Sequence, residues 1–370
     1  MGVKVALDVS AVPARVAGAG RYVVEISRRL AAPGLDATLV TRRGDADRWR
    51  GFAPNTSIAP VVPTSRVARL AYEAWLLGAG PVARGVDVWH GPHYTMPRRG
   101  STPAVVTIHD LTFFSHPEWH EASKVAFFTR AIRYSARHAR ALVCVSDVTA
   151  RALDVAVPDH APVIVAPHGV DLDRFALAGD DDATVLAAAG MSPSAPFLLF
   201  VGTLEPRKGL DVLLDAFTEL ASDDVRLELW IAGQAGWGTD SLGRRLAESP
   251  VRARVRRLGF VDDAVLPALL RSAEAVVYPS RGEGFGLPVL EALACGAPTV
   301  TTTATVMEEV AGGAAFLAKA GDAADLARAI GDARRADRAS VGARARSRAE
   351  LFTWTASLAR HRDAYDLAVR

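Results

Sequence analysis

The sequence predicts an α/β protein built from two doubly wound parallel-sheet domains. Three observations predict it. The chain has 370 residues, comfortable for two domains, and half of them are hydrophobic, enough for two cores. Short apolar runs alternate with longer amphipathic segments, as parallel strands joined by helices require. The alternation breaks over residues 178–194 and then starts again.

The first series of strands is Val3–Leu7, Ala37–Val40, Val86–Trp89, Ala104–Ile108, Ala141–Val145 and Val163–Val165. The break carries Asp180, Asp181 and Asp182, then small residues, then Ser192-Pro193-Ser194, a polar stretch suited to a linker. The second series is Phe197–Val201, Val225–Ile231, Val255–Leu258, Ala275–Tyr278 and Thr299–Thr302. The predicted organisation is a first domain over 1–177, a linker over 178–194, a second domain over 195–355 and a final amphipathic helix over 356–370. The halves show no sequence repeat. Doubly wound sheets take ligands at the carboxyl ends of their strands, so two facing sheets make a cleft.

Composition narrows the function. A net charge of +2 gives no general reason to expect nucleic acid. Cys144 and Cys295 lie in apolar stretches without ligand-like spacing, which reads as buried thiols in a reducing compartment. Val3-Lys4-Val5-Ala6-Leu7-Asp8 reads as a strand rather than a signal peptide, and Ala6 breaks the myristoylation pattern. No uncharged apolar run approaches the roughly 20 residues of a membrane span. A soluble cytoplasmic protein is expected, with peripheral contact at the inner membrane face open. Arg130, Arg133, Arg137 and Arg140 share one face of the helix predicted over 121–140, opposite Val125, Phe128, Ile132 and Ala139. That stripe reads as a solvated face or as a seat for anionic headgroups.

The strongest segment is Arg281-Gly282-Glu283-Gly284-Phe285-Gly286-Leu287-Pro288-Val289-Leu290-Glu291-Ala292, after the strand ending at Tyr278. Gly284 and Gly286 leave the backbone unobstructed, and Pro288 suits a first helical turn. Amides at such a helix start can face an anion. Two carboxylates, Glu283 and Glu291, stand eight residues apart. Arg207 and Lys208 follow Gly202 and the first strand of the second domain, before a helix from Gly209. Two cations there suit a diphosphate and stand in for a metal, so none is expected.

Glu283 to Glu291 resembles the E-x7-E motif of the family 4 retaining glycosyltransferases, which have the GT-B fold. The resemblance extends through Leu293-Ala294-Cys295-Gly296-Ala297-Pro298-Thr299-Val300, Phe200 to Gly209, and Pro167-His168-Gly169-Val170-Asp171. It is dense from about 141 to 318. It implies a nucleotide-sugar donor held mainly by the second domain and an acceptor, a glycan or lipid-linked molecule, held mainly by the first. Glu283 would meet donor-sugar hydroxyls and Glu291 the ribose, with Gly202, Gly284, Phe285, Gly286 and Leu287 beside them. Leu204-Glu205-Pro206-Arg207-Lys208 is similar to bacterial mannosyltransferases, so GDP-mannose is the guess, with UDP- or TDP-sugars open. Where some relatives carry Arg after the strand glycine this chain has Thr203, which leaves the cationic load on Arg207 and Lys208. The resemblance also implies transfer with retained configuration and a final helix that returns to the first domain.

Gly18-Ala19-Gly20-Arg21-Tyr22 follows the first strand. Val23 replaces the third glycine of a dinucleotide fingerprint, so a dehydrogenase is a weak reading. By the resemblance the Gly20 amide faces the cleft, and His109, after Thr107-Ile108, sits at the reaction centre near the donor sugar. His90 and His93 lack a third metal ligand, and His116 and His120 read as cleft or loop residues. Asp171-Leu172-Asp173 spells an acidic metal–diphosphate motif but follows a domain exit, where a turn explains it better. The rival readings are a nucleotide-sugar epimerase or hydrolase of the same fold and a non-catalytic nucleotide-sugar binding protein.

Overall fold

The computed structural model describes residues 2–14, 16, 18–179, 181–236 and 239–370. They form two compact units, one of Met1–Gly169 with Trp354–Arg370 and one of Val170–Thr353.

The first unit holds a seven-stranded, wholly parallel sheet of β1 (Val3–Asp8), β2 (Leu35–Arg42), β3 (Ser57–Val62), β4 (Val88–Gly91), β5 (Ala104–Ile108), β6 (Ala141–Cys144) and β7 (Val163–Val165). The spatial order is β3-β2-β1-β4-β5-β6-β7. The order reverses direction between β1 and β4, where Val5 pairs with Ala37 on one side and Val88 on the other. Doubly wound sheets bind ligands at such a switch point. β4, β5 and β6 are buried along their whole length, because helices cover both faces. Ile132, Ala136 and Ala139 of the 122–139 segment pack on Val106, Ile108 and Leu142. The last helix, Trp354–Val369, packs on β5, β6, β7 and the helix Ala19–Arg29.

The second unit repeats the plan with six parallel strands, β8 (Phe197–Val201), β9 (Glu228–Ala232), β10 (Val255–Gly259), β11 (Ala275–Tyr278), β12 (Thr299–Thr302) and β13 (Phe316–Ala318). Their order is β10-β9-β8-β11-β12-β13. Leu199, Ile231, Val276 and Phe217 are fully or almost fully buried in its core.

Two details correct the sequence reading. The predicted linker 178–194 belongs inside the second unit: the helix Asp182–Ala188 packs on Leu266–Ser272, and Arg271 Nη2 lies 2.6 Å from Asp182 Oδ1. The chain changes unit at Gly169–Val170 and again at Thr353–Trp354. Asp180 lies outside the described residues. The edge strands β3 and β13 are additional to the predicted eleven. Among the described residues no helix is long and apolar enough to cross a membrane.

Candidate active site

In the second unit the site is assembled by two loops that leave β8 and β11, neighbours in the sheet. After β8 the chain makes a short 3₁₀ turn, Pro206–Lys208, and enters a helix at Leu210. Gly209 between them has φ +70°, and a Cβ there would lie 2.1 Å from the carbonyl oxygen of Pro279. Only glycine allows the turn to press on the second loop so closely. The contact is sewn by Arg281 N donating to Arg207 O at 2.8 Å.

That seam delivers two cations to one carboxylate. Arg207 Nη1 donates to Glu283 Oε2 at 2.8 Å and to Gly282 O at 3.0 Å, while its Nε donates to Glu205 Oε2 at 3.0 Å. Lys208 Nζ donates to Glu283 Oε1 at 2.5 Å and to the Tyr278 hydroxyl at 2.6 Å. Ser280 Oγ adds a donor to Oε1 at 2.8 Å and the Tyr278 hydroxyl another at 3.1 Å. Burial pushes the Glu283 carboxyl up, but Arg207 and Lys208 outweigh it and hold the group at about 2. Burial lowers the Lys208 ammonium, opposed chiefly by Glu283. With Glu205 the four charges cancel. Arg207 and Lys208, read from sequence as a diphosphate pair, therefore begin as partners of Glu283, the residue read as a sugar contact. Glu205, Tyr278 and Ser280 were missing from that reading. Their signal lay in their positions beside Arg207 and at the end of the strand before Glu283.

Gly286 turns the second loop into its helix. Its φ of +91° makes it the N-cap of Leu287–Ala294. Gly284 and Phe285 before it are buried, and the Phe285 ring meets Phe352 edge-on at 5.9 Å. Leu287 opens the helix, and Glu291, further along it, is buried. Gly202 closes β8, its amide donating to Ala232 O at 2.9 Å.

In the first unit His109 follows β5 and is buried. Its Nε2 lies 2.7 Å from Pro92 O. A carbonyl can only accept, so Nε2 carries the proton and Nδ1 is the acceptor in the neutral ring. Burial lowers its pKa, opposed by the Pro92 bond and Asp110. Tyr22, Tyr94, His93 and His168 surround the ring at centroid distances of 5.0, 5.6, 5.2 and 5.8 Å. Gly20 lies buried in the first turn of the Ala19–Arg29 helix, where a Cβ would meet Val12 Cγ1 at 3.4 Å.

The remaining sequence candidates take structural places. His90 uses both ring nitrogens on Tyr365 and Thr107. His116 stacks on Trp119, and His120 stacks on Phe113 while bonding Thr112. Asp171 Oδ1 accepts the amides of Asp173 and Arg174, so the acidic pair forms a turn. Among the described residues no three His, Cys, Asp or Glu side chains converge as a metal site. Arg130, Arg133, Arg137 and Arg140 are exposed, but Arg137 pairs with Asp159 at 2.8 Å and Arg133 lies over the Phe114 ring.

Two family models cover these units. The Glycosyltransferase Family 4 model matches residues 16–174, and the Glycosyl transferases group 1 model matches 195–334. The chain is 31% identical over 284 residues to O-antigen chain mannosyltransferase B of Escherichia coli, covering 76% of this chain and 74% of that protein. The chain belongs to glycosyltransferase family 4. This family 4 glycosyltransferase is also 30% identical over 377 residues to the D-inositol 3-phosphate glycosyltransferase of Geodermatophilus obscurus, covering 91% of this chain and 82% of that one. The GT-B fold recurs in the crystal structure of Anabaena Alr3699/HepE in complex with UDP-glucose, with a TM-score of 0.73, 19% identity, and coverage of 98% and 99%.

Proposed function

We propose that this glycosyltransferase moves a hexose, mannose from GDP-mannose in the first instance, to a glycan or lipid-linked acceptor, with retained configuration and without a metal ion. The observation that carries the reading is the convergence of Arg207 and Lys208 on Glu283 at the ends of β8 and β11. Glu283 and Glu205 hold two cations in place before the donor arrives. The donor diphosphate then shares those cations, and the carboxylate of Glu283 accepts hydrogen bonds from donor-sugar hydroxyls. As the bond from the anomeric carbon to phosphate breaks, negative charge collects on the leaving diphosphate, and Arg207 and Lys208 gain most at that moment. The acceptor oxygen attacks the same face and its proton passes to the departing phosphate. Glu291 serves the ribose hydroxyls, Gly202 and the 284–287 segment the rest of the donor, and His109 the sugar.

Mannose is supported by the Escherichia coli mannosyltransferase relative, and a nucleotide-sugar donor by the UDP-glucose complex of the Anabaena neighbour. D-inositol 3-phosphate, from the printed name of the Geodermatophilus obscurus relative, is one acceptor worth assaying. Peripheral docking of the first unit through exposed Arg130, Arg133 and Arg140 belongs to the same proposal. Sedimentation with anionic vesicles tests that docking.

Thermal shift against GDP-, UDP- and TDP-sugars tests the donor. A ligand at a hundred times its dissociation constant stabilises by about 2.7 kcal/mol. GDP-mannose should give the largest shift, followed by an α-linked product when acceptor is added. Rapid donor breakdown without acceptor would favour an epimerase or hydrolase. Donor binding with no transfer across a broad acceptor panel would favour a binding protein.

A further inference from the structure

Beneath His109 the first unit contains a chain of buried polar groups whose hydrogens can be placed without ambiguity. It joins β4, β5, the helix after β1 and the last helix. His361 Nδ1 lies 2.7 Å from Ser357 O, a pure acceptor, so Nδ1 carries the hydrogen. Nε2 of that neutral ring must accept, and the Tyr22 hydroxyl at 2.8 Å donates to it. The Tyr22 oxygen is then left to accept from Thr107 Oγ1 at 2.8 Å. Thr107 has spent its one hydrogen, so it accepts from His90 Nε2 at 2.8 Å. His90 Nδ1 in turn accepts from the Tyr365 hydroxyl at 2.8 Å. Every bond points one way, from Tyr365 to the carbonyl of Ser357. His90, Thr107 and His361 are buried completely, as are Tyr22 and Tyr365. Burial holds both histidines in the neutral form the chain needs, His361 at about 4 and His90 well below the usual range. The direction cannot reverse without taking the hydrogen from His361 Nδ1, which would set two buried acceptors, Nδ1 and Ser357 O, against each other at 2.7 Å.

The chain is tied to His109 twice. Thr107 precedes His109 by two residues on β5, fixing the strand end. The Tyr22 ring stands edge-on to the His109 ring at 5.0 Å and 78°. We propose that Tyr22 and His361 are positioning residues for sugar transfer, holding the His109 ring in place through this one-way chain. The proposal rests on the reading that His109 serves the transfer reaction. Neither residue touches the reacting atoms. The last helix, which carries His361 and Tyr365, thereby becomes part of the active-site support rather than a mere cover for the sheet.

The test uses the full chain labelled with ¹⁵N at histidine. Side-chain nitrogen shifts at pH 7.5 should report His361 as the Nδ1–H tautomer and His90 as the Nε2–H tautomer, assigned with His361→Gln and His90→Gln. Tyr22→Phe keeps the ring and removes one hydroxyl. It should move the His109 signals and lower kcat about tenfold while the donor KM stays within twofold, as loss of one buried hydrogen bond predicts. Thr107→Val breaks the chain one link away and should give the same split, which covers a Tyr22→Phe protein that folds poorly. Finding His361 in the Nε2–H form would overturn the chain. Wild-type kcat in both variants, with His109→Ala inactive, would overturn the positioning role. A His109→Ala protein that transfers normally would instead overturn the reading of His109 and with it the role, while the spectra would still stand.

Discussion

The guanidinium of Arg207 lies 2.8 Å from Glu283 across 76 residues of sequence, and Lys208 holds the other oxygen of the same carboxylate. A cation pair aimed at a diphosphate would, alone and buried, repel itself and lose solvation. Glu283 and Glu205 remove both problems before any ligand binds. The site is thus preorganised, which is what electrostatic stabilisation of a developing charge demands.

Lys208→Ala should lower both donor affinity and kcat. The lost charge-assisted contact grows as the diphosphate leaves, so its value is larger in the transition state. Such a bond contributes roughly 1.5–3 kcal/mol, about ten- to a hundredfold in rate. Steady-state kinetics at saturating donor read this directly, and normal turnover there would refute a role in the chemical step.

Glu291→Ala should raise the donor KM and leave kcat nearly unchanged. Ribose contacts are alike in ground and transition states, so their loss weakens binding uniformly. An unaltered KM for donor would count against the ribose assignment.

His109→Ala should almost abolish transfer while nucleotide affinity stays near normal. His109 belongs to the first unit, whereas Arg207, Lys208 and Glu291 belong to the second. Calorimetry with nucleotide beside turnover separates this from a packing role, in which stability, binding and transfer would fall together.

Acid should destabilise the protein well above the pH at which ordinary carboxylates titrate. Burial lowers the pKa of His90, His93, His109, His168 and His361, with His93 at about 3 and His361 at about 4. The unfolded chain takes up these protons near its ordinary value of about 6.5, while the folded chain refuses them. Their contribution is therefore complete above that value and declines as pH falls towards the folded values. At pH 5 each histidine removes up to about 2 kcal/mol. Glu73, raised to about 7 by burial and by Asp8, works in the opposite sense, as does Asp8, whose own burial raises it. The five histidines outnumber them. Urea midpoints should fall between pH 7.5 and 5, and a flat profile would contradict the buried neutral cluster.

Chelation should leave activity intact, since in the proposed mechanism Arg207 and Lys208 supply the positive charge a metal would bring to the leaving group. Dialysis against a strong chelator followed by assay checks this. Activity lost and then restored by magnesium or manganese would require a metal-bound diphosphate.

Ten of the eleven predicted strands agree with the structure to within two residues at each end; the exception is β9, which starts at Glu228 rather than Val225. Strands buried on both faces announce themselves as continuous apolar runs. β3 does not, because Pro60 interrupts it and only one side is paired; an edge position tolerates the missing N–H. β13 has three residues, too few to show a period. Glu283, Arg207 and Lys208 were legible as residues because their loops carry local signatures. Their mutual pairing was not, since it depends on the seam at Gly209 and Pro279, which joins segments far apart in sequence. The bonds of His361 and Tyr365 to Tyr22 and His90 were illegible for the same reason: nothing local in the last helix marks those side chains as buried partners of β4, β5 and the helix after β1.

The interleaving of the two units sets an order on biosynthesis. The second unit is one uninterrupted segment, Val170–Thr353, inserted between the two pieces of the first. A ribosome releases Tyr22, His90 and Thr107 before the second unit and His361 and Tyr365 after it. Domains normally fold in the order they emerge. Here the segment made second can finish first, while the first-made sheet waits, Tyr22 and His90 without their partners, until the helix Trp354–Val369 arrives. A nascent chain stalled before Trp354 should therefore expose the β5–β7 face to chaperones, and the arrival of the helix Trp354–Val369 becomes the point at which the enzyme's quality is decided.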